Sequence, residues 1–237
     1  MPYYQSTWTA FLAKKLTPTV KRNYPEWHKN RQRYYFWGLD VDASPVQSRL
    51  DHARNALSDY LIPNYQTEPH ITLYVCGFLT DIKREIDDYD KSQFNQHLAA
   101  LKQRNINPFS LSVLGVNSFS TAPFLEIVDN AGTLTTIRST LNAAGIEQHP
   151  LKYLPHVTIG LYSGKGCSEK CKKVITNLTK NTRACRTLTM SVHRITLMSY
   201  DARNVGSALH IEHAINLATR PVGHATTHAT TTTLLPK

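Results

Sequence analysis

Apolar positions along this chain switch between two periods. "RYYFWGLDVD" (33–42) is dense in aromatic and branched residues and predicts a strand; "SPVQSRLDHARNALSDYLI" then carries apolar residues at helical spacing, with Ser44 as candidate cap and Pro45 in the first turn. "HITLYVCGFL" predicts a second strand. "DKSQFNQHLAALKQRN" predicts a helix with Phe94, Leu98 and Leu101 at helical intervals. "FSLSVLGVNSFS" and "FLEIVD" keep period two on either side of "TAP" and predict a hairpin. "AGTLTTIRSTLNAAGI" places Leu134, Ile137 and Leu141 on one face and stops at Gly145. A strand "HVTIGLYS", a helix "SEKCKKVITNLTK" and strands in "RTLTMSVHRITLMSY" and "ALHIEHAINLA" follow.

Strand and helix thus alternate twice, and each half holds one His-x-Thr strand, as a duplicated unit would. In a strand, residues two apart share a face. His70, Thr72 and Tyr74 are therefore expected on one face, with Ile71, Leu73 and Val75 in the core. The second copy sets His156, Thr158, Gly160 and Tyr162 against Val157, Ile159 and Leu161. Two lobes facing one another would bring the motifs together.

Composition narrows the picture. The 237 residues, 41% hydrophobic and 19% charged, can bury one large core. No apolar run approaches the roughly 18 residues of a membrane span, and the start lacks a secretory apolar core. Cys76, Cys167, Cys171 and Cys185 show no bridge spacing, which predicts free thiols and a cytoplasmic protein. Cys167 and Cys171 could share a helix face, but no further zinc ligands stand at suitable spacing. The net charge of +10 favours nucleic acid or nucleotides as partners. Residues 1–30 read as a basic, folded or draped N-terminal extension, 31–218 as the domain, and the Thr/His-rich 219–237 as a disordered tail. His224 and His228 in that tail are four apart, but its threonines oppose the helix that a metal pair would need.

The two motifs suit phosphodiester hydrolysis without metal or cofactor. A histidine pair with pKa values near about 6.5 can supply base and acid. Each threonine hydroxyl can donate to a non-bridging phosphoryl oxygen. Tyr74 and Tyr162 are placed to flank a base or ribose, and Gly160 would admit a ligand close to the backbone.

"PHITLYV" and "PHVTIGL", each with Pro before His (Pro69, Pro155), resemble the motifs of the 2H phosphoesterases, and the order of elements between about 31 and 218 is similar to theirs. The resemblance implies an α+β, bilobed, pseudo-twofold fold in which two antiparallel sheets face a central cleft, with helices outside. It implies His70 and His156 as catalytic, Thr72 and Thr158 as phosphate-binding, and a 2′,3′-cyclic phosphate at an RNA end or on a nucleotide as substrate. Cleavage of 2′-5′-linked oligonucleotides or cyclic nucleotide signals, a non-catalytic RNA-binding module, and a 2′-5′ RNA ligase are the alternatives. A single-chain cleft needs no partner subunit, so a monomer without membrane contact is expected. The second motif departs from the family's frequent pattern of nearby basic residues: "KYL" and "GLYS" flank it, leaving only Lys152.

Other residues take plainer roles. Phe36, Trp37 and Phe124 are expected in the core, and His193, His210 and His213 lack a threonine partner. "GKGCSEKCKK" lacks phosphate-loop spacing and reads as a solvated basic loop entering a helix, near enough to the second motif to guide an anion.

Overall fold

The period-two segments form two sheets in the computed structural model, which describes residues 2–41, 44–148, 152–164 and 168–217. Helices α1 (Pro2–Ala13) and α2 (Pro25–His28) precede strand β1 (Arg33–Asp40), helix α3 (Ser44–Ala56) and strand β2 (His70–Thr80). A short β3 (Asp88–Asp90), helix α4 (Lys91–Arg104), the hairpin β4 (Phe109–Ser118) and β5 (Pro123–Val128), and helix α5 (Thr133–Ala144) come next. Strand β6 (His156–Thr158), helix α6 (Ser168–Ala184) and strands β7 (Leu188–Val192), β8 (Arg194–Asp201) and β9 (Leu209–Asn216) complete the described chain.

The larger sheet runs β3-β2-β1-β8-β9 and the smaller β6-β5-β4-β7. The fold is the expected mixed α+β arrangement of two sheets. Its pairs are antiparallel except β2 with β3, which run parallel through Phe78↔Asp88. Consecutive strands β7 and β8 belong to different sheets, and only His193 separates them. Among the described residues, no helix is long and apolar enough to cross a membrane.

Local chemistry explains the joints. Asp90 caps α4 by accepting from the Gln93 N–H at 2.7 Å. Gly145 does end α5, yet its φ of −179° is ordinary extended backbone. Glycine is needed there for space, since a Cβ would lie 2.4 Å from Gln93 Nε2 and 2.7 Å from His97 Nε2. A register shift between Val113 and Val116 in β4 lets α6 complete the ladder. The Val116 N–H donates to Thr182 Oγ1 at 2.9 Å, and Thr179 Oγ1 donates to the Val116 carbonyl at 2.9 Å. The core between these layers holds Trp37, Leu39, Ile71, Leu73, Val157 and Ile159, all fully buried.

The N-terminal residues lie along both lobes. Asn117 Nδ2 donates to the Tyr4 carbonyl at 3.1 Å, and the Tyr4 hydroxyl sits 2.5 Å from the Ile127 carbonyl and 2.6 Å from that of Pro155. Phe11 is buried, and the N–H groups of Thr17 and Thr19 donate to Ser120 O at 2.8 Å and Tyr162 O at 2.7 Å. The chain then crosses to the larger sheet. There Trp27 packs against Tyr34 and Phe78, each with ring centroids 5.1 Å away, and Arg31 pairs with Asp87 at 2.6 Å and Asp88 at 2.5 Å.

Cys76 and Cys171 are buried free thiols, and Cys185 is an exposed one. Cys167 lies outside the described residues, as do His224, His228 and the rest of the tail.

Candidate active site

Both motif histidines are held in the same way. His70 Nδ1 lies 2.8 Å from the Glu68 carbonyl, and His156 Nδ1 lies 2.7 Å from the Leu154 carbonyl. A carbonyl only accepts, so each Nδ1 carries the proton and each neutral ring keeps its lone pair at Nε2. Aromatic rings fix the two planes. Phe36 lies 5.0 Å from the His70 ring, while Phe119 and Phe124 lie 5.1 and 5.3 Å from His156.

Sheet register sets an acid opposite each histidine: Asp40 pairs with His70 and Glu126 with His156. Neither acid is left to charge its histidine. Arg194 Nε donates to Asp40 at 2.9 Å, and Glu126 accepts from Asn117 at 2.6 Å and Arg183 at 3.0 Å. Burial accordingly lowers the pKa of both histidines below the ordinary value. For His70 the Glu68 carbonyl opposes that shift and the charge of His156 adds to it.

His70, Thr72 and Thr158 line one cleft of about 560 Å³. A direct bond joins the lobes beside it, from the Tyr153 hydroxyl to the Thr72 carbonyl at 3.2 Å. Among the described residues that line it there is no lysine or arginine. An anion there meets hydroxyl groups and the His70 imidazole, a set able to move a proton at Nε2 and to donate hydrogen bonds to phosphoryl oxygens. Asp201, paired with Arg203 at 3.0 Å, also lines the cleft, and His156 is not among the lining residues.

Several expected positions differ. Tyr74 is fully buried with its ring edge-on to His97 at 5.0 Å, and Val75 lines the cleft instead. The cause is a register shift: Trp37 pairs with Tyr74 and Gly38 with Thr72, so Leu73 is an extra residue that reverses the alternation after Thr72. Tyr162 is also core, its hydroxyl 2.7 Å from Ser118 Oγ. Strand β6 stops at Thr158, so strict alternation no longer applies, and Leu161 faces the cleft. Gly160 makes room for a side chain and not for a ligand, since a Cβ would lie 2.9 Å from Leu61 Cδ1. Lys152 is exposed and outside the cleft lining. Phe36 is buried as expected but also forms part of the cleft wall. The lining further includes Tyr24, Trp27, Tyr34, Tyr65 and Tyr200, which the sequence reading did not single out. They come from four separate segments, so no local pattern marks them.

Residues 42–204 match the model of the 2′-5′ RNA ligase superfamily. Among curated proteins nothing matches the sequence. Solved structures share the fold at low identity. Escherichia coli LigT complexed with 3′-AMP is 14% identical, with a TM-score of 0.53 over 79% of this chain and 99% of its own. TT0787 of Thermus thermophilus is 16% identical, with a TM-score of 0.52 over 78% and 97%. A conserved protein of unknown function from Agrobacterium tumefaciens is 12% identical, with a TM-score of 0.57 over 90% and 99%. With the matched region spanning both His-x-Thr motifs and most of both sheets, the chain belongs to the 2′-5′ RNA ligase superfamily of 2H phosphoesterases.

Proposed function

We propose that this protein is a metal-independent phosphodiesterase that opens 2′,3′-cyclic phosphates at RNA ends or on nucleotides. The carrying observation is the matched pair of histidines, each fixed at Nδ1 by the carbonyl two residues back, with a motif threonine of each lobe on the cleft wall. One neutral histidine takes a proton from water at Nε2 as the water oxygen bonds to phosphorus. The other, protonated, gives its proton to the departing ribose oxygen. The ring opens to a phosphomonoester, and the proton count on the pair is unchanged. Thr72 and Thr158 donate to the non-bridging oxygens as charge builds there. The E. coli LigT structures with 3′-AMP and with NADP+ support a nucleotide as the class of ligand. With an RNA 5′-hydroxyl in place of water as the attacking oxygen, the same groups would join two ends: one histidine takes the hydroxyl proton, the other gives its proton to the departing ribose oxygen, and a phosphodiester forms.

The test is turnover, in chelator, of 2′,3′-cyclic mononucleotides, an RNA with a cyclic phosphate end, a 2′-5′-linked oligoadenylate and a cyclic dinucleotide. The cyclic phosphates are expected to open, and His70→Ala or His156→Ala each to lower kcat by about 10²- to 10⁴-fold. Thr72→Val and Thr158→Val are expected to cost about 100-fold in kcat. Turnover that disappears in chelator, or survives either histidine change, would overturn the mechanism.

A further inference from the structure

Residues 2–32 precede the family match, which begins at residue 42, yet they help to build the cleft. Their path is fixed at both ends, by the Tyr4 and Thr19 bonds to the smaller lobe and by the Arg31 ion pairs to the larger. Between these anchors, Tyr24 and Trp27 reach the same cavity as His70, Thr72 and Thr158. We propose that this N-terminal segment is part of the ligand-binding site and that its Tyr24 and Trp27 form the wall against which a nucleobase stacks while the phosphate rests at the two motifs.

Three observations support a base as occupant. Six of the eighteen residues lining the cavity are Tyr, Trp or Phe, against 9% of the whole chain, which favours a flat π-face over an aliphatic or purely ionic ligand. The cavity also has the size of a small-molecule site, about 560 Å³. The wall, lastly, is already ordered. Arg31 Nη2 donates to the Trp27 carbonyl at 3.0 Å, the Tyr24 hydroxyl donates to Val20 O at 2.7 Å, and the Arg22 guanidinium stands 3.9 Å over the Tyr24 ring. A stack formed there costs little further ordering.

The inference rests on the nucleotide reading of the site, and its test separates the two. The full chain is titrated calorimetrically with 3′-AMP and with inorganic phosphate, for wild type, Tyr24→Leu, Trp27→Leu and Trp27→Phe. Both leucine variants are expected to weaken 3′-AMP about tenfold or more and to leave phosphate unchanged, with Trp27→Phe close to wild type. Indole fluorescence adds an independent readout. 3′-AMP is expected to quench emission in wild type and not in Trp27→Phe, although that variant still binds. The proposal fails if wild type does not bind 3′-AMP, if neither leucine variant weakens it, or if phosphate weakens in parallel, the mark of a purely structural role. Binding that depends on Trp27 without turnover of any diester leaves this proposal standing and removes the hydrolytic one; turnover indifferent to Tyr24 and Trp27 does the opposite.

Discussion

The pinned imidazoles make a prediction about pH. Burial lowers both histidine pKa values, so above an ordinary histidine's pKa both rings are neutral and the acid is missing. As pH falls, one proton enters the pair and the productive form appears; at still lower pH both rings are charged and the base is lost. The profile of kcat/KM against pH is therefore expected to be a bell whose optimum lies on the acid side of about 6.5. An optimum above pH 8 would contradict the burial argument. The same shifts have a stability consequence. A folded-state pKa below the unfolded value gives stability that is present above about pH 6.5 and is lost as pH falls through the folded value.

At the scale of elements, the two tyrosines that leave the cleft should behave oppositely. The Tyr162 hydroxyl is bonded to Ser118, and Tyr162→Phe is expected to cost about 1 kcal/mol in denaturant unfolding. The buried Tyr74 hydroxyl has no hydrogen-bond partner among the described residues, so Tyr74→Phe is expected to be neutral or stabilising. Neither change should alter KM; a rise of several-fold for either would return that ring to the ligand. These residues also show how far a sequence can be read. The strands and helices other than α1, α2 and β3, the hairpin over "TAP" and the faces of His70 and Thr72 follow from periodicity, because alternation holds until a strand bulges or ends. The bulge at Leu73 depends on pairing with β1, and the path beyond Thr158 is shared with residues 61 and 62, Leu61 bridging Tyr162 and the Ile62 N–H donating to the Leu161 carbonyl at 2.8 Å. Both are set by distant chain, so the identities beyond each threonine were legible and their directions were not. The aromatic wall was hidden for a similar reason, since the Trp27 ring is seated on Tyr34 and on Phe78, the latter far along the chain.

Across the whole molecule, the lobes are joined at several points. Besides Tyr153 to Thr72, the Gln148 N–H donates to the Val75 carbonyl at 3.1 Å, and the N-terminal segment is bonded to both sides. Small-angle scattering is expected to give the same radius of gyration with and without saturating 3′-AMP. A contraction of the size produced by hinge closure would show that these ties yield.

The single residue between β7 and β8 carries this further. With one sheet ending at Val192 and the other beginning at Arg194, the connection holds the lobes close at that point, and with the Tyr153 and Gln148 bonds tying them elsewhere the groove is a slot more than a jaw. A slot cannot squeeze its occupant toward the reacting geometry, so discrimination among ligands must be made on arrival by the fit of base and phosphate together. Capture rates should then rise linearly with ligand concentration without a saturating slow step.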